Sequence, residues 1–249
     1  MARQRPLSNA PITEALIDIQ VTPRPGLTFG GLKEAIGASE FGYYTKNPIS
    51  EGSFGFKLNP DGQQSETTAA SAQVGLRLHS LDEKYVAQCR ISGFTLSRLP
   101  PYEEWRNLVQ EAKRVWAVYA ERVAPVRVIR LATRFINNLR LPLQQGGSYQ
   151  TYLHKLVDVP DGAPQAVASF FQRFQLVDVE SNASVNLTVA LETTPQSGAA
   201  PVMLDVDAFM TTDLAPGDVR LWATLERLRD LKNRTFFGSI TEQAAELYE

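Results

Sequence analysis

The chain has 249 residues, 43% of them hydrophobic and 21% charged, with 25 basic and 27 acidic side chains and a net charge of -2. That composition excludes a disordered tail, a collagen-like fibre and a long coiled coil, and the balanced charge supplies no bulk field toward DNA or anionic lipid. No long unbroken apolar run exists, Met1 to Ala15 lacks a signal-peptide core, and the single Cys89 closes no internal disulfide, so the expectation is a soluble cytoplasmic protein without membrane contact.

Ala15, Ile17, Ile19 and Val21 alternate with Leu16, Asp18 and Gln20, the pattern of a strand with one buried face. Pro23 and Pro25 stop it, and a short helix is predicted from Leu27 to Ile36. Phe41–Lys46 and Phe54–Leu58 read as short strands. The polar, turn-forming stretch 59–72 reads as an exposed loop headed by Pro60-Asp61-Gly62. Val74, Leu76 and Leu78 form the next strand, and Val86 to Leu96 its partner. There the apolar phase passes from Ala87, Cys89 and Ile91 to Phe94 and Leu96, so a bulge is predicted at Gly93.

A helix is predicted from Pro100-Pro101 to Val123, with proline tolerated in a first turn. Trp105, Leu108, Ala112, Val115, Trp116, Tyr119 and Val123 make one apolar stripe along it. Val126 to Leu141 is a long strand with Arg130, Arg134, Asn138 and Arg140 on one side. A loop at 143–148 and a short helix from Tyr149 to Leu156 follow, then Phe170 to Phe174, which periodicity cannot assign. Gln175–Glu180 and Val185–Glu192 read as a hairpin, and a loop at 193–201 precedes a strand with Val202, Leu204 and Val206 on one side. Asp218 to Phe236 is the second long helix, and Ser239 with Glu242 matches a capping box for a last short one.

The predicted fold is α+β. Residues 1–124 and 125–249 form two halves of like order, β-α-β(n)-α, as separate units or as one continuous domain. Clean alternation favours an antiparallel sheet, with the two long helices covering one face and leaving the other free.

Four stretches carry a resemblance: Pro11-Ile12-Thr13-Glu14-Ala15, Gly93–Leu99 running into Pro101–Trp105, Arg130–Asn137, and Leu204-Asp205-Val206-Asp207. In this order they resemble a sporadically distributed, uncharacterised family of bacterial and archaeal proteins of about this length. The resemblance implies an accessory role, such as a defence or mobile-element module, and brings no activity, cofactor or catalytic residue with it.

Nucleophilic catalysis is poorly supplied. The two histidines, His79 and His154, have no nucleophile elbow beside them, and Cys89 sits among apolar neighbours. Gly26 to Lys33 has a superficial phosphate-loop look, but Leu32 separates glycine from lysine and no hydroxyl residue follows. Asp205 and Asp207, with Glu192, are a candidate Mg²⁺ site for phosphoryl chemistry, set against ordinary pairing with arginines. If the strands are neighbours, Arg77, His79, Arg90, Arg130, Arg134, Asn138 and Arg140 share one sheet face, a candidate surface for a phosphate backbone or an acidic protein.

The functional expectation is a non-catalytic protein-interaction or regulatory subunit of a bacterial accessory system, without a cofactor. It meets a protein partner through the uncovered sheet face and the loops at 59–72, 143–148 and 193–201. Nucleic-acid binding through the arginine face is the alternative, and a metal-dependent phosphoryl enzyme is the third reading.

Overall fold

The computed structural model describes residues 1–37, 41–58, 64–143, 148–154, 160, 162–164, 167–191 and 199–249, with backbone alone at 45–46, 53–58 and 64–70. Among these residues nine strands form one antiparallel sheet. They are β1 (Ile12–Thr22), β2 (Tyr43–Leu58), β3 (Gln64–Ser80), β4 (Tyr85–Arg90), β5 (Gly93–Arg98), β6 (Arg127–Leu141), β7 (Phe170–Asp178), β8 (Ala183–Leu191) and β9 (Ala200–Leu214). Their order across the sheet is β2-β3-β4-β5-β1-β6-β9-β8-β7. The helices are α1 (Phe29–Ala35), α2 (Trp105–Val123), α3 (Arg220–Ser239) and α4 (Glu242–Glu246). The class is α+β, as the alternation predicts. Residues 1–124 and 125–249 supply adjoining parts of this sheet. In each part the first strand lies inward, the last strand pairs beside it, and the rest step outward.

The core lies on one face. Ala15, Ile17, Ile19 and Val21 of β1 are buried there, as are Phe94 and Leu96 of β5 and Leu131, Phe135 and Leu139 of β6. Against it α2 turns its whole apolar stripe, from Trp105 to Val123. Leu221, Leu225, Leu228 and Leu231 do the same from α3, which packs on β6, β8 and β9. Each element is amphipathic at its own period, two for strands and 3.6 for helices, so the apolar sides have one another to cover.

Several local expectations change. The phase slip at Gly93 is a hairpin rather than a bulge: Arg90 pairs with Gly93 across a turn at Ile91-Ser92, and a turn resets strand phase as a bulge does. Gly93 is required because a Cβ there would lie 2.6 Å from the Ile19 carbonyl oxygen of the neighbouring strand. β2 is one strand through the residues read as a turn. Of the stretch 59–72, residues 59–63 lie outside the described residues, while 64–72 belong to β3. Partner pairing along the hairpin overrides weak local propensity there.

Helix α2 starts at Trp105, since Glu104 before it is extended (φ -149, ψ 157), and it ends at Ala124 in the left-handed region. Pro100 and Pro101 therefore lie ahead of it. The unassigned Phe170–Phe174 is the start of β7, and the helix expected at Tyr149–Leu156 is a single 3-10 turn, Tyr149–Thr151, with 155–156 outside the described residues. Helix α3 runs past Gly238, and Thr241 caps α4 by accepting from the Ala244 amide at 3.2 Å. Ser239 donates instead to the Thr235 carbonyl within α3. Residues 144–147 and 193–198 of the expected contact loops lie outside the described residues, and Ala200-Pro201 already belong to β9. Among the described residues no helix is long and apolar enough to cross a membrane.

Candidate functional site

The other face, which no element covers among the described residues, is built by the other parity of the same strands. Asp18 of β1 stands opposite Thr95 on one side and Ala132 on the other; one step on, Arg134 stands opposite Asp207. A cross-strand network results. Asp18 accepts from Arg90 Nη2 at 2.8 Å, Thr95 Oγ1 at 2.6 Å and Arg130 Nη1 at 3.2 Å. Arg130 turns its other nitrogen to Asp207 at 3.0 Å, and Asn186 of β8 donates to the same oxygen at 3.2 Å. Arg130 also lies over the Phe209 ring, 4.4 Å from its centre.

Arg134 grips Asp205 with two nitrogens, the closest contact being 2.6 Å. The Asp205 hydrogen bonds hold this guanidinium above the ordinary arginine pKa, against the opposing effect of burial. Ala132, fully buried between Arg130 and Arg134, leaves room for both side chains to fold across the sheet. Three guanidiniums thus meet three carboxylates, and this central patch is charge-balanced.

All seven basic and amide residues singled out in the sequence have the parity of this face, but they do not converge. Arg90 and Arg130 join through Asp18, with Arg130 reaching on to Asp207, and Arg134 pairs with Asp205 beside them. Arg77 and His79 lie on β3, four strands from β6 and so about 19 Å away at strand spacing. Arg77 is exposed, while His79 Nδ1 lies 3.0 Å from Glu83 Oε2. Asn138 and Arg140 are exposed near the far end of β6, ten residues or about 33 Å beyond Arg130 in the case of Arg140. Their backbone amides are tied to the Pro11 carbonyl and the Tyr248 hydroxyl.

The carboxylate reading meets the same network. Asp205 and Asp207 sit side by side on this face, yet Asp205 is engaged by Arg134 and Asp207 by Arg130 and Asn186. Glu192 lies outside the described residues. Among the described residues no three His, Cys, Asp or Glu side chains gather closely enough to hold a metal ion. Cys89 is buried, which pushes its thiol pKa up to about 12.

Three features escaped the sequence reading. Asp18 is the hub of the network; its alternation with Ile17 and Ile19 puts it on the free face, but nothing local names its partners. Lys232 is buried beneath α3, its Nζ 3.5 Å from the centre of the Phe135 ring and 2.6 Å from Asn233 Oδ1. The signal was present: Leu225, Leu228 and Lys232 follow helical spacing down the inward stripe. Third, a groove of about 630 Å³ runs between β7, β8 and the end of α3, lined by Phe174, Leu176, Leu187, Val189 and Gly238 among others.

No family model matches the chain, and no curated protein matches it either.

Proposed function

We propose that this protein is a non-catalytic binding subunit of a bacterial accessory system, and that the uncovered sheet face meets a protein partner. The observation that carries this reading is the balanced network at the centre of the face. Arginines committed to Asp18, Asp205 and Asp207 are poor ligands for a polyanion, because each phosphate contact would have to displace a carboxylate already in place. The same network holds its side chains in fixed positions, which lowers the ordering cost of association. Around it Ile136 and Met203 are part-buried and Phe171, Asn138 and Arg140 are exposed, a mixture of apolar and polar groups suited to a protein interface.

The test is native mass spectrometry of the chain purified from its own host at low salt, beside Ile136→Glu and Arg140→Glu. A stoichiometric protein adduct that both substitutions abolish supports the reading. An adduct unaffected by either refutes this face as the contact. Bound nucleic acid, lost steeply between ~50 and ~200 mM salt, would instead favour the arginine-face alternative.

A further inference from the structure

The groove on the helix side of the sheet arises from where α3 lies. This helix packs against β6 and β9 and only lightly on β8, so β7 lies beside it rather than under it. Strand period turns Phe174 and Leu176 of β7 into the resulting gap, where they stay 39% and 43% exposed. Leu187 and Val189 of β8 continue this apolar floor, and the last turns of α3 supply the opposite wall with Thr235, Gly238 and Ser239. The volume of about 630 Å³ falls within the roughly 300–1,000 Å³ of small-molecule sites.

The lining selects its ligand by charge, hydrogen bonding and width. Among the described residues no charged side chain lines the groove, so an ion would lose its hydration there without a counter-charge. The ion pair that spans from α3 to the end of β7, Arg234 to Asp178 at 3.0 Å, balances itself. Thr235 and Ser239 donate their hydroxyls to the Leu231 and Thr235 carbonyls of their own helix, at 2.9 and 2.7 Å, and keep lone pairs for a ligand. Gln172 also lines the groove, yet its Oε1 is buried and accepts no hydrogen bond. Its terminal torsion is soft, so a small turn of the amide brings that oxygen to a donor in the groove. Gly238 supplies width. It sits inside a helix, its φ is not positive, and a Cβ there would meet nothing within 4 Å. Neither backbone conformation nor packing therefore calls for glycine, which is a poor helix residue.

We propose that this groove is a binding site for a neutral, largely apolar small molecule that carries one hydroxyl or N–H donor. The apolar body lies along Phe174, Leu176, Leu187 and Val189, and the donor meets Gln172 Oε1. Such a ligand covers the exposed floor and satisfies the one acceptor that the fold buries there without a partner. The site is on the helix side of the sheet, so the inference stands apart from the proposed use of the other face.

The experiment is calorimetric titration of the full chain with 1-naphthol. Two comparison probes share its body: 1-methoxynaphthalene lacks the donor, and 1-naphthoate carries a charge. One 1-naphthol per chain is expected to bind saturably with Kd below ~1 mM, within reach of a ligand of about eleven heavy atoms. The methoxy and carboxylate probes are expected to bind about 5-fold weaker or worse. Gln172→Leu should weaken 1-naphthol by about 5-fold while leaving 1-methoxynaphthalene within ~2-fold, a split that general damage to the fold does not produce. Gly238→Leu, whose side chain enters open space, should abolish binding of all three with an unchanged circular dichroism spectrum. Phe171→Ser, on the opposite face of β7, should change nothing. No saturable binding, as when another part of this chain fills the groove, would overturn the proposal. So would 1-naphthoate or 1-methoxynaphthalene binding as tightly as 1-naphthol, an unchanged affinity in Gln172→Leu, or binding that survives Gly238→Leu or is lost in Phe171→Ser.

Discussion

Replacing Lys232 by methionine should stabilise the protein, and by an amount that depends on pH. Burial pushes the pKa of this ammonium down to about 7, helped by the nearby Arg229 charge and opposed by Asp230. The unfolded chain holds its lysine proton up to ~10.4. Between those values the unfolded state carries a proton that the folded state has lost, so lysine makes stability rise with pH across that window and costs most below it. From pH 6 to pH 9 the linked gain is about 3 kcal/mol at ~1.36 kcal/mol per pH unit. Methionine has a similar volume and fits over Phe135 without an ionisable group, though it gives up the contact with that ring and the hydrogen bond to Asn233. Urea unfolding of wild type and Lys232→Met at pH 6 and pH 9 provides the assay. The variant should be the more stable at pH 6, and its advantage should shrink by about 3 kcal/mol at pH 9. Parallel pH profiles, or a variant less stable than wild type at pH 6, would refute the account of Lys232 as a desolvated core amine.

Two further perturbations test the sheet. Asp18→Ala strips Arg90, Arg130 and Thr95 of a shared acceptor and should cost about 2–3 kcal/mol, less than a fully buried pair because these arginines keep some solvent. A double-mutant cycle with Arg130→Ala should show coupling; additive losses would mean the network is not cooperative. Gly93→Ala places a methyl group 2.6 Å from the Ile19 carbonyl and should cost about 1–3 kcal/mol by thermal unfolding, and a loss below ~0.5 kcal/mol would show that β5 can move off β1 at little expense.

The face assignment was legible before the structure because strand period alone decides it: Arg77, Arg90, Arg130 and Arg134 all alternate with buried neighbours such as Leu76, Cys89, Leu131 and Phe135. The site was not legible, because distance across a sheet depends on strand order. Asp18 and Asp207 come from strands nearly 190 residues apart in sequence, and only the placement of β1 and β9 on either side of β6 brings both carboxylates to Arg130. Lys232 fails for the opposite reason. Its helical phase was readable, but a long amine on an inward stripe commonly reaches out to water, and only the packed ring of Phe135 shows that this one does not.

By itself the sequence determined the α+β class, the two amphipathic helices and the split of each strand into an apolar and a polar side. These follow from local periodicity, and each residue's phase is set by its near neighbours. Only the tertiary structure decided that β1 and β6 pair in the middle, that the arginines are balanced by carboxylates from other strands, and that β2 and β7 form the two ends. Those outcomes depend on which strands lie side by side, and pairing is a long-range choice that no local window of sequence records.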